Sequence, residues 1–444
     1  MKVDEARAPT VTAQGGRRWI YPERRDGAYS RKRRAVGYSL LLVYLLLPHL
    51  SWAGRPLLRI DIMSKMFYVF GGVFRLNDIA YFAIVVILAC LLLFWVTSLR
   101  GRLWCGYACP QTVFIDWVIR PIEEWTEGKA NRRKVQDSGK LTLELSIRKL
   151  AKHGLFFLIA GLVANNFLLY FVSPEQLTYW VSSSPEENPI AFGFMGLNLA
   201  AFYFNFAWFR EQFCAFLCPY ARLQAIMIDQ DTPTVAYDYK RGEPRGKHQG
   251  GDCIDCNLCV RVCPTGIDIR KGLQLECVQC FRCTDACNGI MKNLKRPEGL
   301  IRNTSAAALS KTVPPPKLRL RPWLYGIAFS TLAAAFLCHL WLRPPVKTTI
   351  TRMSNAPISK FDDGRSGNMF RIRFENQTDK PQPMAILSQS PQVEVICGVC
   401  SGSLLPFEEK VAVVMIIFRN TKSPDQAFLE VEASQELLRA PLIH

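Results

Sequence analysis

Histidine is scarce in this chain, five in 444 residues, and none stands with a serine and an acid in a nucleophile pattern. No Walker loop or dinucleotide-binding glycine fingerprint occurs either, so triad hydrolysis and nucleotide use have no footing. Acid is in deficit: 37 Asp and Glu face 55 Lys and Arg, for a formal net charge of +18. No aromatic-interleaved RNA motif or recognition-helix pattern accompanies that excess, and no nucleic-acid partner is expected. The bases gather instead beside apolar runs, where membrane topology places them. Residues 1–35 lack the apolar heart of a secretory signal and hold a basic stretch ending in Arg31-Lys32-Arg33-Arg34. They are expected to form an inside tail, not a cleaved leader.

Cysteine and apolar residues are what the chain has in quantity. Eight of its 16 cysteines fall in two runs, Cys253-x2-Cys256-x2-Cys259-x3-Cys263-Pro264 and Cys277-x2-Cys280-x2-Cys283-x3-Cys287. This is the pattern of two-cluster bacterial ferredoxins, in which the last cysteine of each run ligates the other run's cluster. It predicts one [4Fe–4S] cluster on Cys253, Cys256, Cys259 and Cys287, and another on Cys263, Cys277, Cys280 and Cys283. Zinc would leave the third cysteine and the Cys-Pro ending surplus. Structural disulfides call for an oxidising compartment, which the topology denies this segment.

Five stretches have the length and character of a bilayer crossing: 36–53, 79–97, 154–172, 190–209 and 323–342. The fourth, with Asn198 and Asn205, is the least hydrophobic. Lys and Arg crowd 1–35 and 100–152, whereas 173–189 has none and carries Glu175, Glu186 and Glu187. The positive-inside rule therefore puts the N-terminus inside, and 54–78 outside despite Arg55, Arg59, Lys65 and Arg75. A four-span membrane domain, 36–230, then precedes an inner cluster segment, 231–305, where thiols stay reduced. A linker, 306–322, leads to the fifth span and an exported segment, 343–444. There Phe370-Arg371-Ile372-Arg373-Phe374-Glu375 alternates apolar and charged residues, 411–418 is a β-branched run, and Leu429-Glu430-Val431-Glu432 alternates again. Turn signals stand at Asp363-Gly364, Asn376 and Pro381. The fold class is a five-span α-helical membrane protein with a cytoplasmic two-cluster ferredoxin-like domain and a C-terminal immunoglobulin-like β-sandwich, without the Cys…Trp…Cys hallmark. Cys397 and Cys400 in the exported segment are expected to form a local disulfide, an exported copper contact being the alternative.

A second cysteine pattern follows the second and fourth spans. Cys105-Gly106-Tyr107-Ala108-Cys109-Pro110 and Cys214-Ala215-Phe216-Leu217-Cys218-Pro219 are both Cys-x3-Cys-Pro, preceded by Arg102 and Arg210 and followed by apolar runs ending in Asp116 and Asp229. A separation of four predicts two thiols on one helix face, able to share a soft metal or to cycle between dithiol and disulfide. Thiolates select copper(I), zinc or iron–sulfur over hard cations. If the repeats pack about a pseudo-twofold axis, Cys105, Cys109, Cys214 and Cys218 converge beside the cluster segment. Buried small hydrophobes at helix ends are the plain alternative. The repetition favours a copper-handling or thiol redox site over a third cluster. His49 and His339, near the outer ends of the first and fifth spans, are a conceivable haem or copper pair, although polar residues are common at that depth.

Taken together, Arg102-Leu103-Trp104-Cys105, Arg210-Glu211-Gln212-Phe213-Cys214, Cys218-Pro219-Tyr220-Ala221-Arg222, Arg241-Gly242-Glu243-Pro244, Gly251-Asp252-Cys253 and Cys263-Pro264-Thr265-Gly266-Ile267-Asp268 closely resemble the CcoG family, also called FixG or RdxA. The resemblance implies a polyferredoxin of the bacterial inner membrane that assists assembly of the cbb(3)-type cytochrome oxidase, a haem–copper enzyme. It further implies reduction of copper(II) to copper(I), at Cys105, Cys109, Cys214 and Cys218, for delivery to that oxidase. Expected partners are a cytoplasmic electron donor, copper ions, oxidase-assembly and copper-transport proteins, and membrane lipid. Two other outcomes stay open: a polyferredoxin passing electrons between quinol and an exported reductase, and an assembly scaffold whose clusters only staple the loop. The C-terminal segment departs most from the family, with Thr351-Arg352-Met353-Ser354-Asn355 where an Arg-Asp-Arg-like element is usual.

Overall fold

The computed structural model describes residues 10–12, 15–62, 64, 66–75, 79–246, 249–310, 319–353, 359–361, 365–387, 393–398, 401–418, 428–433 and 436–441. Lys65, Asp363, Gly364 and Cys400 lie outside these. The chain divides into two compact units, Met1–Ala333 and Ala334–His444.

Among the described residues, three helices are long and apolar enough to cross a membrane: Ala80–Arg100, Pro189–Phe209 and Leu320–Trp341. They coincide with the second, fourth and fifth expected spans. The first and third expected spans need correction. Residues 36–53 are not one helix: the helix is Ala28–Leu46, followed by a tight turn, Leu47–His49, and strand Ser51–Trp52. Pro48 sits where the regular helix stops, as a residue without an N–H must. The basic stretch Arg31–Arg34 is therefore helical, not tail. The third helix runs Leu143–Leu168, starting eleven residues earlier than 154 on a Thr142 cap whose hydroxyl accepts from Leu145 N. The connection 54–78 is more than a loop, with antiparallel strands Leu58–Asp61, Met66–Val69 and Gly72–Arg75.

The helices of the first unit close on an apolar core of Phe114, Ile119, Phe156, Ala160, Val163 and Phe206. Polar clasps fix the register: Tyr44 Oη donates to Val163 O at 2.8 Å, and Asn166 Nδ2 donates to Tyr44 O at 2.8 Å. The cluster segment is bounded by strands Thr234–Tyr237 and Ile301–Thr304, paired antiparallel. Between them lie the short helix Leu258–Arg261 and the helix Arg282–Asn293, over a core that includes Val235, Ile269, Phe281, Met291 and Leu300.

The second unit holds two antiparallel sheets. In one, Ser366–Asn376 is flanked by Val346–Arg352 and Glu409–Phe418, with Val393–Cys397 beyond the latter and Ser359–Lys360 at one end. The other contains Ser401–Leu404, Gln382–Leu387, Phe428–Ala433 and Glu436–Pro441. The alternation read in 370–375 works as expected: Phe370, Ile372 and Phe374 point into a core completed from the second sheet by Met384, Ile386 and Leu404. Asn376 ends its strand by donating from Nδ2 to Lys380 O and Leu405 O at 2.8 and 2.9 Å. Cys397 is disulfide-bonded.

Candidate iron–sulfur and thiol site

The two cysteine runs fold as copies of each other. In the first, Asp255 and Asn257 flank Cys256 with φ of 56° and 57°; in the second, Gln279 and Phe281 flank Cys280 with φ of 51° and 58°. Left-handed backbone at non-glycine residues costs on the order of 1–3 kcal/mol each. It recurs at four equivalent positions because it turns backbone N–H groups inward, forming the concavity that holds anions and iron–sulfur centres. Helices Leu258–Arg261 and Arg282–Asn293 start directly after these turns.

The runs cross over. Cys253, Cys256, Cys259 and Cys287 line one cavity, and Cys263, Cys277, Cys280 and Cys283 line a second, with Cys259 between them. Among the described residues no three His, Cys, Asp or Glu side chains are gathered closely enough to hold a single metal ion. The sulfurs ring cavities instead of meeting at a point, as four corners of a cube require. Burial pushes the thiols of Cys259, Cys277 and Cys287 up to about 12, so loading means displacing protons. Buried donors also wait on the second run: Gln279 Nε2, Arg282 Nη1 and Thr284 Oγ1 have no hydrogen-bond partner among the described residues. An anionic, sulfur-rich group fits this donor set.

All four Cys-x3-Cys-Pro cysteines line one further cavity, together with Thr265, Leu275 and Val278 of the cluster segment. The expectation of two thiols on one helix face is corrected, because proline breaks the helix inside each motif. Cys105 lies in the helix Leu103–Tyr107, whereas Cys109 is the extended residue before the helix starting at Pro110. Cys214 lies in the wide turn Phe213–Leu217, and Cys218 is the extended residue before Pro219. Proline suits a first helical position, where its missing N–H is not needed.

The two repeats embrace by reciprocal contacts. Gln111, after the first motif's proline, exchanges amide hydrogen bonds with Asn205 at 3.0 and 2.8 Å. Tyr220, after the second motif's proline, meets Thr97 at 2.8 Å. Thr97 and Asn205 each stand five residues before the motif's arginine. Arg102 reaches across to Ala221 O at 2.8 Å and to Leu275 O in the cluster segment. Burial, with Cys109 adjacent, pushes the Cys105 thiol up to about 12, and burial drives Cys214 up as well; Cys105 Sγ lies 3.3 Å from Gln224 Oε1.

Beneath these sites runs a buried ionic seam. Asp116 binds Arg120 at 2.5 Å, Arg33 at 2.8 Å and Arg282 at 3.4 Å. Arg120 also binds Glu211 at 2.5 Å. Burial alone would push the Asp116 carboxyl up, but the three guanidiniums hold it well below the usual carboxylate range. Asp229, its counterpart by sequence, does something else: Oδ1 accepts from Thr232 Oγ1 at 2.7 Å in a local turn.

Residues 209–250 and 244–306 match the family described as a 4Fe-4S dicluster domain, and 82–133 match a 4Fe-4S binding domain. Protein RdxA of Cereibacter sphaeroides is 36% identical over 377 residues, 81% of this chain and 80% of RdxA. The chain belongs to the FixG/RdxA family. Protein RdxB of the same organism is 34% identical over 380 residues, 81% of this chain and 79% of its own length. Nitrogen fixation protein FixG of Rhizobium meliloti is 38% identical over 300 residues, 64% of this chain and 57% of FixG. As a FixG/RdxA protein, the chain is an iron–sulfur electron-transfer protein. Sequence reasoning missed Arg33, Arg120, Arg282 and Asp116 as one buried group; only the aspartate after each motif gave a hint.

Proposed function

We propose that this protein is a multi-pass protein of the bacterial inner membrane that reduces copper(II) to copper(I) for assembly of a cbb(3)-type oxidase. In this reading Ala28–Leu46 and Leu143–Leu168 also cross the bilayer, giving five spans. The charged starts of these two helices, such as Arg31–Arg34 and Arg148–Lys149, lie at the cytoplasmic face. The cluster segment is cytoplasmic, and the two-sheet unit is an immunoglobulin-like periplasmic domain.

Cys253, Cys256, Cys259 and Cys287 would hold one [4Fe–4S] cluster, and Cys263, Cys277, Cys280 and Cys283 the other. Bound there, the clusters supply one-electron relay from a cytoplasmic donor. The observation that carries the copper assignment is the shared cavity of Cys105, Cys109, Cys214 and Cys218, walled by Thr265 and Val278 next to the second run. Copper(II) that meets a pair of these sulfurs takes up one electron, and copper(I) is the state soft thiolates prefer. Arg102 holds the two motifs and the cluster segment in one frame, and Gln224 faces the Cys105 thiol.

The test is a Cys105→Ser, Cys109→Ser double variant purified without oxygen. Iron content and the electron paramagnetic resonance of the clusters should persist while copper(I) formation, read with a copper(I)-selective chelator, disappears. Loss of cluster iron together with activity would remove the case for a separate copper site. The match of 82–133, whose cysteines are Cys90, Cys105 and Cys109, favours a second reading, in which the four motif thiols hold a third cluster. Four extra irons per chain, lost in the double variant, would establish it.

A further inference from the structure

We infer that Arg33 and Arg282 raise the reduction potential of the cluster held by Cys263, Cys277, Cys280 and Cys283 above that of its neighbour, so that an electron comes to rest beside the motif cavity. This rests on the cluster assignment proposed above. Arg33 is 1% exposed, at the foot of the first helix. Its Nε donates to Gly106 O at 2.7 Å and its Nη2 to Asp116 at 2.8 Å, while Nη1 has no partner among the described residues. Arg282, 5% exposed and next in sequence to Cys283, likewise leaves Nη1 unpartnered among the described residues. The Cys280 sulfur is within electrostatic range of both.

A buried donor without an acceptor costs about 1–3 kcal/mol. Arg33, Gln279, Arg282 and Thr284 all carry one, three of them within the second run. Cluster sulfur beside Cys280 is the acceptor open to Arg33 and Arg282, whereas the Gln279 amide lies against Gly101; such hydrogen bonds are a recognised means of tuning a cluster. Charge points the same way. Three guanidiniums, Arg33, Arg120 and Arg282, share Asp116 and Glu211, so cation is in surplus. Around the first run the charges pair off: Arg270, which faces Cys259, is bound by both Asp268 and Asp255, Arg241 by Asp252 and Arg261 by Glu23. Asp255 is 49% exposed, so water also reaches that side. A reduced cluster carries one more negative charge, which buried cations stabilise and carboxylates oppose, with little screening in the interior.

Full-length protein in detergent, titrated anaerobically and followed by electron paramagnetic resonance with an iron count, tests this. Wild type should show two waves, and Cys287→Ser, which removes a ligand of the first cluster, should keep the higher one. Arg33→Gln should move that higher wave downward and leave the lower in place, while Arg33→Lys holds it near the wild-type position. Movement of both waves together, of the lower alone, or of neither would overturn the inference. Should Arg33→Gln take up no iron, Cys287→Ser decides: retention of the lower wave overturns the inference. Wild-type protein without iron would overturn the cluster assignment beneath it.

Discussion

Gly106 lies directly against Gln279: a Cβ on Gly106 would stand 2.6 Å from the Gln279 carbonyl oxygen and 2.7 Å from that of Val278. The first Cys-x3-Cys-Pro motif thus meets the second cysteine run backbone to backbone, between Cys277 and Cys280. Its counterpart in the second motif is Ala215. Gly106→Ala should force the two apart, at a stability cost of about 1–3 kcal/mol, and slow copper reduction with iron retained. Ala215→Gly should cost no more than about 1 kcal/mol. Thermal unfolding in detergent and chelator-detected copper(I) read both; equal effects would deny Gly106 its special contact.

Glu123 binds Arg133 at 2.5 Å and Arg210 at 2.6 Å, with all three side chains buried. Although burial alone would raise its carboxyl, Arg210 and Arg133 hold it below the usual range. Glu123→Gln strands two cations and should destabilise by roughly 3–5 kcal/mol. The exposed pair Glu144–Arg148, at 2.8 Å, should lose about 0.5 kcal/mol or less when Glu144 becomes Gln. Melting temperatures of the two variants compared with wild type check the contrast.

Soft-metal binding at the motif cavity should tighten as pH rises. The Cys105 thiol, pushed up to about 12 by burial, is protonated at neutral pH, and a metal must displace its proton. Each proton released per metal gives about a tenfold gain in apparent affinity per pH unit. Copper(I) competition titrations from pH 6 to 8 should show this rise, with proton release into weak buffer. A flat profile would mean that the thiols are not the ligands.

Asp285 caps a helix from a distant part of the chain. Its carboxylate accepts from Tyr29 N at 3.2 Å and Ser30 N at 2.8 Å, and Tyr29 stacks on Phe281 at 4.6 Å. Asp285→Ala should cost about 0.5–2 kcal/mol and loosen the start of Ala28–Leu46, exposing Arg31–Arg34 to trypsin while cluster iron stays unchanged. Digestion no faster than wild type would show that the cap is dispensable.

Much of this was legible because the signals are local. The spacing of Cys253 to Cys287 shows the two runs, the apolar lengths of 79–97, 190–209 and 323–342 locate three helices, and the alternation in 370–375 gives a strand and its inward face. What escaped depends on partners far along the chain. Arg33 looks like one base among several in a solvated tail, and nothing near it reveals that Asp116 and Arg282 will enclose it. Asp255, Asn257, Gln279 and Phe281 adopt glycine-like backbone without being glycine, so composition is silent about it. The separation of four between Cys105 and Cys109 predicts a shared helix face, but Pro110 breaks the helix at the second cysteine.

The enclosed position of Arg33 dictates an order of biogenesis. Arg33 leaves the ribosome well before Arg282, with which it shares Asp116. Ala28–Leu46 therefore cannot take its final seat when it is made. Its final packing must wait until the ferredoxin segment has folded over it, which makes the fold of that segment a condition for the fold of the helix.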